Sequence, residues 1–496
     1  MEIKRKTGVS WMVFLLSLLI VFFIGYMITS ITERKMEAKY AHKPMVEIKN
    51  LEPRNEEWGK VFPREFESYY KTAETSFKSK YNGNAMIDML EVDPRLVVLW
   101  AGYGFSKDYN QGRGHVYAVK DIRNTLRTGG PTGPKTGPMP STCWTCKSPD
   151  VPRLISEIGV PTFYTGKWAS KGAEIVNPIG CANCHDENTM NLTITQPALI
   201  EAFKRQGKDI TKASHNDMRT LVCAQCHVEY YFNKHLPDKE GIPYLTFPWD
   251  YGTTLEDMET YYDKNHHVDW VHKLSKAPML KAQHPGYEMW KAGIHGRRGV
   301  SCADCHMPYK TEGGQKFTDH HIQSPLNNVA NSCQVCHREE TDELVRNVYD
   351  NQDRIIKNRD KLEELIVRAH VEAKKCWDVG ATEQQMKDIL YGIRIGQWRW
   401  DIAAASHGGS FHAPVETGRI IAKGIDITQE TRIKLAKLLI ELGYDKEVSY
   451  PNIKTKADAQ KFIGMPVEKL VAEKNKFLEE IVPQWKKEAE ERESKY

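Results

Sequence analysis

Apolar and polar positions are distributed along this chain in three distinct ways, and each predicts a different kind of element. From about Trp11 to Ile31 apolar residues run almost without a break, through Phe14-Leu15-Leu16 and Leu18-Leu19-Ile20-Val21-Phe22-Phe23-Ile24. Such a run is long enough to span a bilayer as a helix. Lys4, Arg5 and Lys6 precede it, which favours a cytoplasmic N-terminus and places everything that follows on the outer side. A cleaved signal peptide is the alternative. Its apolar region is shorter and ends in small residues, whereas Thr32-Glu33-Arg34-Lys35 follows here. The expectation is an uncleaved anchor over residues 1–35 and a periplasmic body.

Between residues 36 and 340 no long periodicity is sustained, and Gly/Pro-rich stretches such as 128–140 interrupt the chain. This reads as short helices and loops with few strands. After residue 340 the character changes. Leu344, Val348, Ile355, Leu362, Ile366 and Ala369 recur at helical spacings on a charged background, the mark of a long amphipathic helix. Further helical runs are expected at 386–405 and 457–491. The fold class is therefore mainly α, with long C-terminal helices in a 341–496 part that packs on the body and offers a dimer interface. Net charge is +4 without any basic block, so nothing points to nucleic acid.

Composition alone leaves the body short of a core: apolar residues are 40%, and Gly (34) and Pro (24) are abundant. The cysteines suggest what fills it. Ten of the eleven fall in five Cys-x-x-Cys pairs: Cys143/Cys146, Cys181/Cys184, Cys223/Cys226, Cys302/Cys305 and Cys333/Cys336. His185, His227, His306 and His337 directly follow four of the pairs, and Lys147 follows the first. Random order of this composition gives roughly 0.01 Cys-x-x-Cys-His matches, against four found. In c-type haem attachment the thiols bond the porphyrin and the next residue reaches the iron. A zinc ribbon does not need His at that position. Five covalently attached c-type haems are expected, which makes 36–340 a pentahaem catalytic body with a haem-packed core. The eleventh, Cys376, reads as a part-buried helical thiol.

The Lys-terminated motif separates one haem from the other four. Two axial His saturate an iron and suit electron transfer, while binding a substrate needs an open position. Second His ligands are available from His115, His215, His235, His266, His267, His272, His284, His295, His320, His321, His370, His407 and His412. The Lys147 haem is the natural one to stay open, with its amine deprotonated in a desolvated site.

These residues resemble the pentahaem cytochrome c nitrite reductases, which form ammonia. The resemblance rests on Cys143-Trp144-Thr145-Cys146-Lys147 followed by Ser148-Pro149-Asp150, on Cys226-His227-Val228-Glu229-Tyr230-Tyr231-Phe232, and on Lys281-Ala282-Gln283-His284-Pro285, over about residues 114–414. It implies Arg127, Tyr230 and His284 as the distal residues that join Lys147 in catalysis. It also implies calcium held by side-chain oxygens of Glu229 and Gln283 and backbone carbonyls of Tyr230 and Lys281. As second axial ligands it implies His115 for the His227 haem, His295 for His337, His321 for His185 and His412 for His306. His320 and His407 are the neighbouring alternatives to the last two.

The resemblance further implies six-electron reduction of nitrite to ammonium in anaerobic respiration, a homodimer, and electrons delivered by a membrane tetrahaem quinol dehydrogenase. Two other functions compete. A non-catalytic multihaem carrier would show His after every Cys pair, which Lys147 contradicts. A related multihaem reductase acting on hydroxylamine, sulfite or tetrathionate generally differs in haem number or in the distal Arg-Tyr-His set.

Overall fold

The computed structural model describes residues 3–41 and 47–495, with side chains described for 9–36 and 47–495. It divides into two units, Met1–Ile48 and Lys49–Tyr496. The first is a single helix, α1 (Ile3–Ala41). Within it Val9–Met36 has a mean hydropathy of 2.6 and none of its surface is buried. A 28-residue helix of that composition can cross a bilayer, and an export signal passes the same test. The first division thus falls after residue 48 rather than after 35, because the helix continues through the charged segment at 32–35.

The second unit is mainly α, as expected: the chain is 58% helical and 5% strand. The strands are three short antiparallel ribbons. β1 (Tyr231–Asn233) pairs with β2 (Tyr244–Thr246), β3 (Trp270–Val271) with β4 (Pro278–Met279), and β5 (Tyr309–Glu312) with β6 (Gln315–Thr318). From residue 49 to 340 the helices are short and broken by 3-10 turns, which matches the scattered Gly and Pro.

The long helices follow. α2 (Thr341–Asp378), α3 (Glu383–Ala405) and α4 (Pro414–Glu441) pack together. Of the predicted stripe on α2, Ile355, Leu362, Ile366 and Ala369 are buried, while Leu344 and Val348 are half-buried. Thr382 caps α3 in a reciprocal pair with Gln385. Close approach of α3 and α4 depends on small residues. A Cβ at Gly396 would lie 2.5 Å from Thr428 Oγ1, and one at Gly392 2.2 Å from Thr431 Oγ1. The run expected at 457–491 is two helices, Lys456–Phe462 and α5 (Val467–Glu493). Gly464, at φ 65°, and Pro466 break it.

Two apolar clusters hold the unit together. One joins Leu96–Ala101 to α2, α3 and α4 around Trp100, Trp400 and Leu362, so no division falls at 340/341 and the C-terminal part shares a core with the body. Buried Leu or Ile side chains of this kind contribute about 1.5–3 kcal/mol each. Cys376 is fully buried here against the Leu435 carbonyl, more so than the part-buried thiol expected. The other cluster surrounds Trp144, Trp168, Trp249 and Trp398 and takes in Phe477 and Trp485 of α5. This second cluster positions the Lys147 motif.

Candidate active site

Lys147 stands at the end of a turn fixed by its own motif. Trp144 is fully buried and stacks on Trp168, ring centres 4.6 Å apart and planes 12° apart. Its indole N–H donates to the Trp168 carbonyl at 2.9 Å. Thr145 Oγ1 donates to the Thr142 carbonyl at 2.6 Å, and Lys147 N–H to the Trp144 carbonyl at 3.0 Å. Downstream, the buried Asp150 carboxylate accepts the Val176 and Asn177 N–H groups at 2.9 Å each. Tryptophan and threonine between the two cysteines therefore anchor the turn, leaving Cys143, Cys146 and Lys147 to face a ligand.

Arg127 lies on a 3-10 turn, Leu126–Thr128, capped by Thr125 and by Asp108, which accepts the Leu126 N–H at 3.0 Å. The turn ends at Gly129, whose φ of 69° suits glycine. The guanidinium packs over the Phe105 ring, Cζ 4.3 Å from its centre, and Nε lies 3.3 Å from Thr125 Oγ1. Among the described residues no carboxylate is ion-paired with it. Burial lowers its pKa, with Asp108, Tyr109, Tyr103 and Tyr230 acting in the opposite direction; the group nonetheless stays charged.

Tyr230 and His284 complete this region, ring centres 6.5 Å apart. Burial raises the Tyr230 hydroxyl well above its ordinary pKa, and the Cys146 and Cys143 thiols add to the effect. Desolvation by the surrounding protein and then the Lys147 charge hold His284 well below its ordinary pKa, although one side of its ring is exposed. Arg127, Tyr230 and His284 thus come together beside the Lys147 motif. The sequence reading missed Phe105, which supports Arg127, and Tyr103, which stacks on Trp270 at 4.8 Å. Neither belongs to a motif.

Glu229 and Gln283 are also neighbours. The Gln283 N–H donates to Glu229 Oε2 at 2.6 Å, Tyr262 Oη to Glu229 Oε1 at 2.9 Å, and Gln283 Nε2 reaches the Lys281 carbonyl at 3.4 Å. Lys281 itself turns its ammonium to Asp401, Nζ to Oδ1 2.7 Å. The fully buried Glu229 carboxylate has no cationic side chain paired with it among the described residues, so burial drives its pKa far up. A hard cation coordinated by oxygen would relieve that cost. The donor set therefore fits calcium.

Whether the histidines fit haem can be tested by ring spacing. Two imidazoles bound to one iron, with bonds of about 2 Å and roughly 1 Å from nitrogen to ring centre, stand about 6 Å apart. Four pairs meet this: His115 with His227 at 6.4 Å, His185 with His320 at 6.1 Å, His295 with His337 at 6.3 Å and His306 with His412 at 6.2 Å. Burial keeps several neutral, the form that binds metal, with His115 and His412 at about 4 and His227 at about 3.

The second pair corrects an expectation, since His320 and not His321 faces His185. The cause is visible at Nδ1. His320 Nδ1 bonds the Thr318 carbonyl at 2.8 Å, His185 Nδ1 the Met190 carbonyl at 2.9 Å and His306 Nδ1 the Gln323 carbonyl at 2.7 Å. A carbonyl at Nδ1 leaves Nε2 bare and aims the ring. No carbonyl holds His321 Nδ1 among the described residues, and it is the His320 ring that stands 6.1 Å from His185. His407 sits 6.3 Å from His284, and neither follows a Cys pair.

Cys336 differs from the other attachment cysteines: nine of the ten are half-buried, but Cys336 is exposed. Its neighbours share that exposure, Val335 at 68% and the His337 side chain at 47%. The reason is position. Cys333–His337 links a four-residue helix, Val329–Ser332, to the start of α2, and Arg338, Glu339 and Glu340 continue the link as exposed charged residues that favour water over a core. The last motif therefore lies at the surface of the body, while the Lys147 motif is built into its interior.

Fold and residues together define a multihaem c-type cytochrome with one motif set apart from the rest. Residues 54–494 match the cytochrome c552 family, and the chain belongs to that family. It is 55% identical over 492 residues to cytochrome c-552 of Parabacteroides distasonis, covering 99% of this chain and 98% of the relative. It is 54% identical to cytochrome c-552 of Bacteroides thetaiotaomicron, covering 98% and 97%. Among solved structures it is similar to the catalytic subunit of a cytochrome c nitrite reductase from Desulfovibrio desulfuricans, described with two calcium sites, at a TM-score of 0.75 and 32% identity over 81% of this chain and 90% of that one. The likeness supports an oxidoreductase.

Proposed function

We propose that the protein reduces nitrite to ammonium with six electrons at a haem held by Cys143, Cys146 and Lys147. One observation carries the reading: the single Lys-terminated motif is the one beside which Arg127, Tyr230 and His284 converge, while each His-terminated motif has a second imidazole opposite. Cys181/Cys184 with His185 and His320, Cys223/Cys226 with His227 and His115, Cys302/Cys305 with His306 and His412, and Cys333/Cys336 with His337 and His295 would hold the other four haems. When bound, haem supplies redox-active iron, open to substrate where one axial position is free and fitted to electron transfer where both are taken.

The chain's own residues handle the anion and its protons. Arg127, permanently charged and without a paired carboxylate, binds and orients nitrite. Conversion to ammonium takes up eight protons and releases two waters, so proton donors must stand at the substrate. His284 hydrogen-bonds the substrate through its ring N–H and relays a proton by taking one up at its other nitrogen as the first leaves, and the Tyr230 hydroxyl, kept protonated by burial, offers a second hydrogen bond. Glu229, Gln283 and the Tyr230 and Lys281 carbonyls would hold calcium, which pins Tyr230 and His284 through their immediate neighbours. Residue 9–36 apolarity supports export with membrane anchorage, and the electron donor would be a quinol-oxidising tetrahaem membrane cytochrome. Leu344 and Val348, half-buried on α2, support a homodimer through the long helices.

The test is a haem count by pyridine haemochrome together with nitrite-to-ammonium turnover driven by reduced viologen. Five haems and stoichiometric ammonium are expected. A full haem count without ammonium would overturn the reading in favour of an electron carrier.

A further inference from the structure

We propose that Lys474, on the last helix, is a positioning residue for Arg127, holding the turn that presents the guanidinium to substrate. The inference rests on the nitrite reading above. The sequence marks α5 only as a charged helix, yet Lys474 is 3% exposed. Its Nζ donates to the Arg123 carbonyl at 3.0 Å and to Thr128 Oγ1 at 2.8 Å. These two residues bracket Arg127. The Thr128 hydroxyl in turn donates to the Thr125 carbonyl at 2.9 Å, and Thr125 Oγ1 touches Arg127 at both its N–H and its Nε. Immediately after the turn, a Cβ on Gly130 would lie 2.2 Å from the Glu473 carbonyl. Helix and turn are therefore in backbone contact.

The arrangement is costly for a purely structural role. Among the described residues the ammonium has no ion pair, and a further neighbour is the Phe477 ring, 4.9 Å away. A buried unpaired cation costs several kcal/mol that an apolar side chain would not. The charged groups around it are few. Arg123 points its guanidinium away, to the Gly172 and Ile175 carbonyls. Asp108 acts on Lys474 from beyond ion-pair distance while bonded to the Leu126 N–H and to Asn110. The Glu473 carboxylate faces Lys469, Oε1 3.9 Å from Nζ, on the exposed side of the helix. Asp108 also faces Arg127, so one carboxylate is shared by two cations that flank the turn. Burial pushes Lys474 down to about 7, against the pull of Asp108. The ammonium is thus charged below neutral pH and loses its charge above it.

The experiment compares the holoenzyme with Lys474→Met, Lys474→Arg and Thr128→Val, using reduced viologen with nitrite and with hydroxylamine, which is uncharged at neutral pH. If Lys474 aims Arg127, Lys474→Met raises the KM for nitrite about tenfold and leaves hydroxylamine turnover within about twofold, because only the anion needs the guanidinium. Lys474→Arg restores most of the loss. Thr128→Val shifts nitrite KM in the same direction, and the double variant with Met adds little further. In the unaltered enzyme nitrite KM rises as pH passes from about 6 to 8, and the Arg variant flattens that rise. Equal losses with both substrates, or no change in nitrite KM in Thr128→Val, would overturn the proposal. Thr128→Val decides the matter if Lys474→Met does not fold. An unaltered enzyme that makes no ammonium overturns the function instead.

Discussion

Around the four His-terminated motifs the chain brings a second imidazole to 6.1–6.4 Å from the first and fixes it with little else. At the Lys147 motif it brings three chemically different groups instead: a guanidinium, a phenol and an imidazole. The covalent signature is the same in both regions, two cysteines and a nitrogen donor. What differs is the opposite face. Where that face is another neutral imidazole, the site can only pass electrons; where it is a cation with two hydrogen donors, an anion can be bound and protonated. The oxygens of the buried Glu229 and half-buried Gln283 border only the second kind, which gives the reactive region a support that the relay region lacks.

The contrast breaks most visibly if the distal groups go. His284→Ala should cut nitrite turnover by about 10² to 10⁴ while leaving haem content and spectra unchanged, since a proton relay is lost and no ligand is. Steady-state assay with reduced viologen checks it, and turnover within a factor of a few of the unaltered enzyme would remove His284 from the chemistry. Next is the proximal donor. Lys147→Leu should keep its haem through Cys143 and Cys146 but lower turnover on the order of 10²-fold and alter the high-spin signal. Lys147→His should recover part of the loss. Unchanged spin state and ammonium formation in Lys147→Leu would place substrate at a different haem. Chelation of calcium, or Glu229→Ala, should cost about tenfold in turnover with the haem count intact, because it loosens the neighbours of Tyr230 and His284 rather than removing them. Full activity in a metal-analysed, calcium-free sample would rule out the ion.

The two regions were unequally legible in the sequence. Motif spacing is local and covalent, so all five Cys pairs and their proximal residues stand in the chain in plain order, and the stripe from Ile355 to Ala369 follows from helical periodicity. Spacing does not report depth, which is why the exposed Cys336 reads the same as the half-buried Cys146. Arg127, Tyr230 and His284 come from segments more than fifty residues apart and were reached by resemblance. Phe105, Tyr103 and Asp401 carried no signal, since an aromatic or a carboxylate becomes a support only through tertiary contact. The break at Gly464 and Pro466 was readable from turn chemistry, yet the charged pattern on both sides masked it. His320 against His321 could not be decided by spacing at all. The two residues are adjacent, and a hydrogen bond to the Thr318 carbonyl selects between them.

That choice yields the finest test of the comparison. If His320 is the sixth ligand opposite His185, His320→Ala frees one axial position among the relay haems and should add a second high-spin signal to the one expected from the Lys147 site. Catalytic groups are untouched, so turnover should fall only as far as the His185 haem limits electron supply, by a few-fold. His321→Ala is the control. Its ring is buried without a hydrogen bond at Nε2, so its loss should cost some stability and leave the spin-state count unchanged. Electron paramagnetic resonance of the two oxidised variants separates them. A new high-spin signal in His321→Ala, with none in His320→Ala, would restore the pairing expected from resemblance and show that the backbone carbonyl at Nδ1 does not select the ligand here.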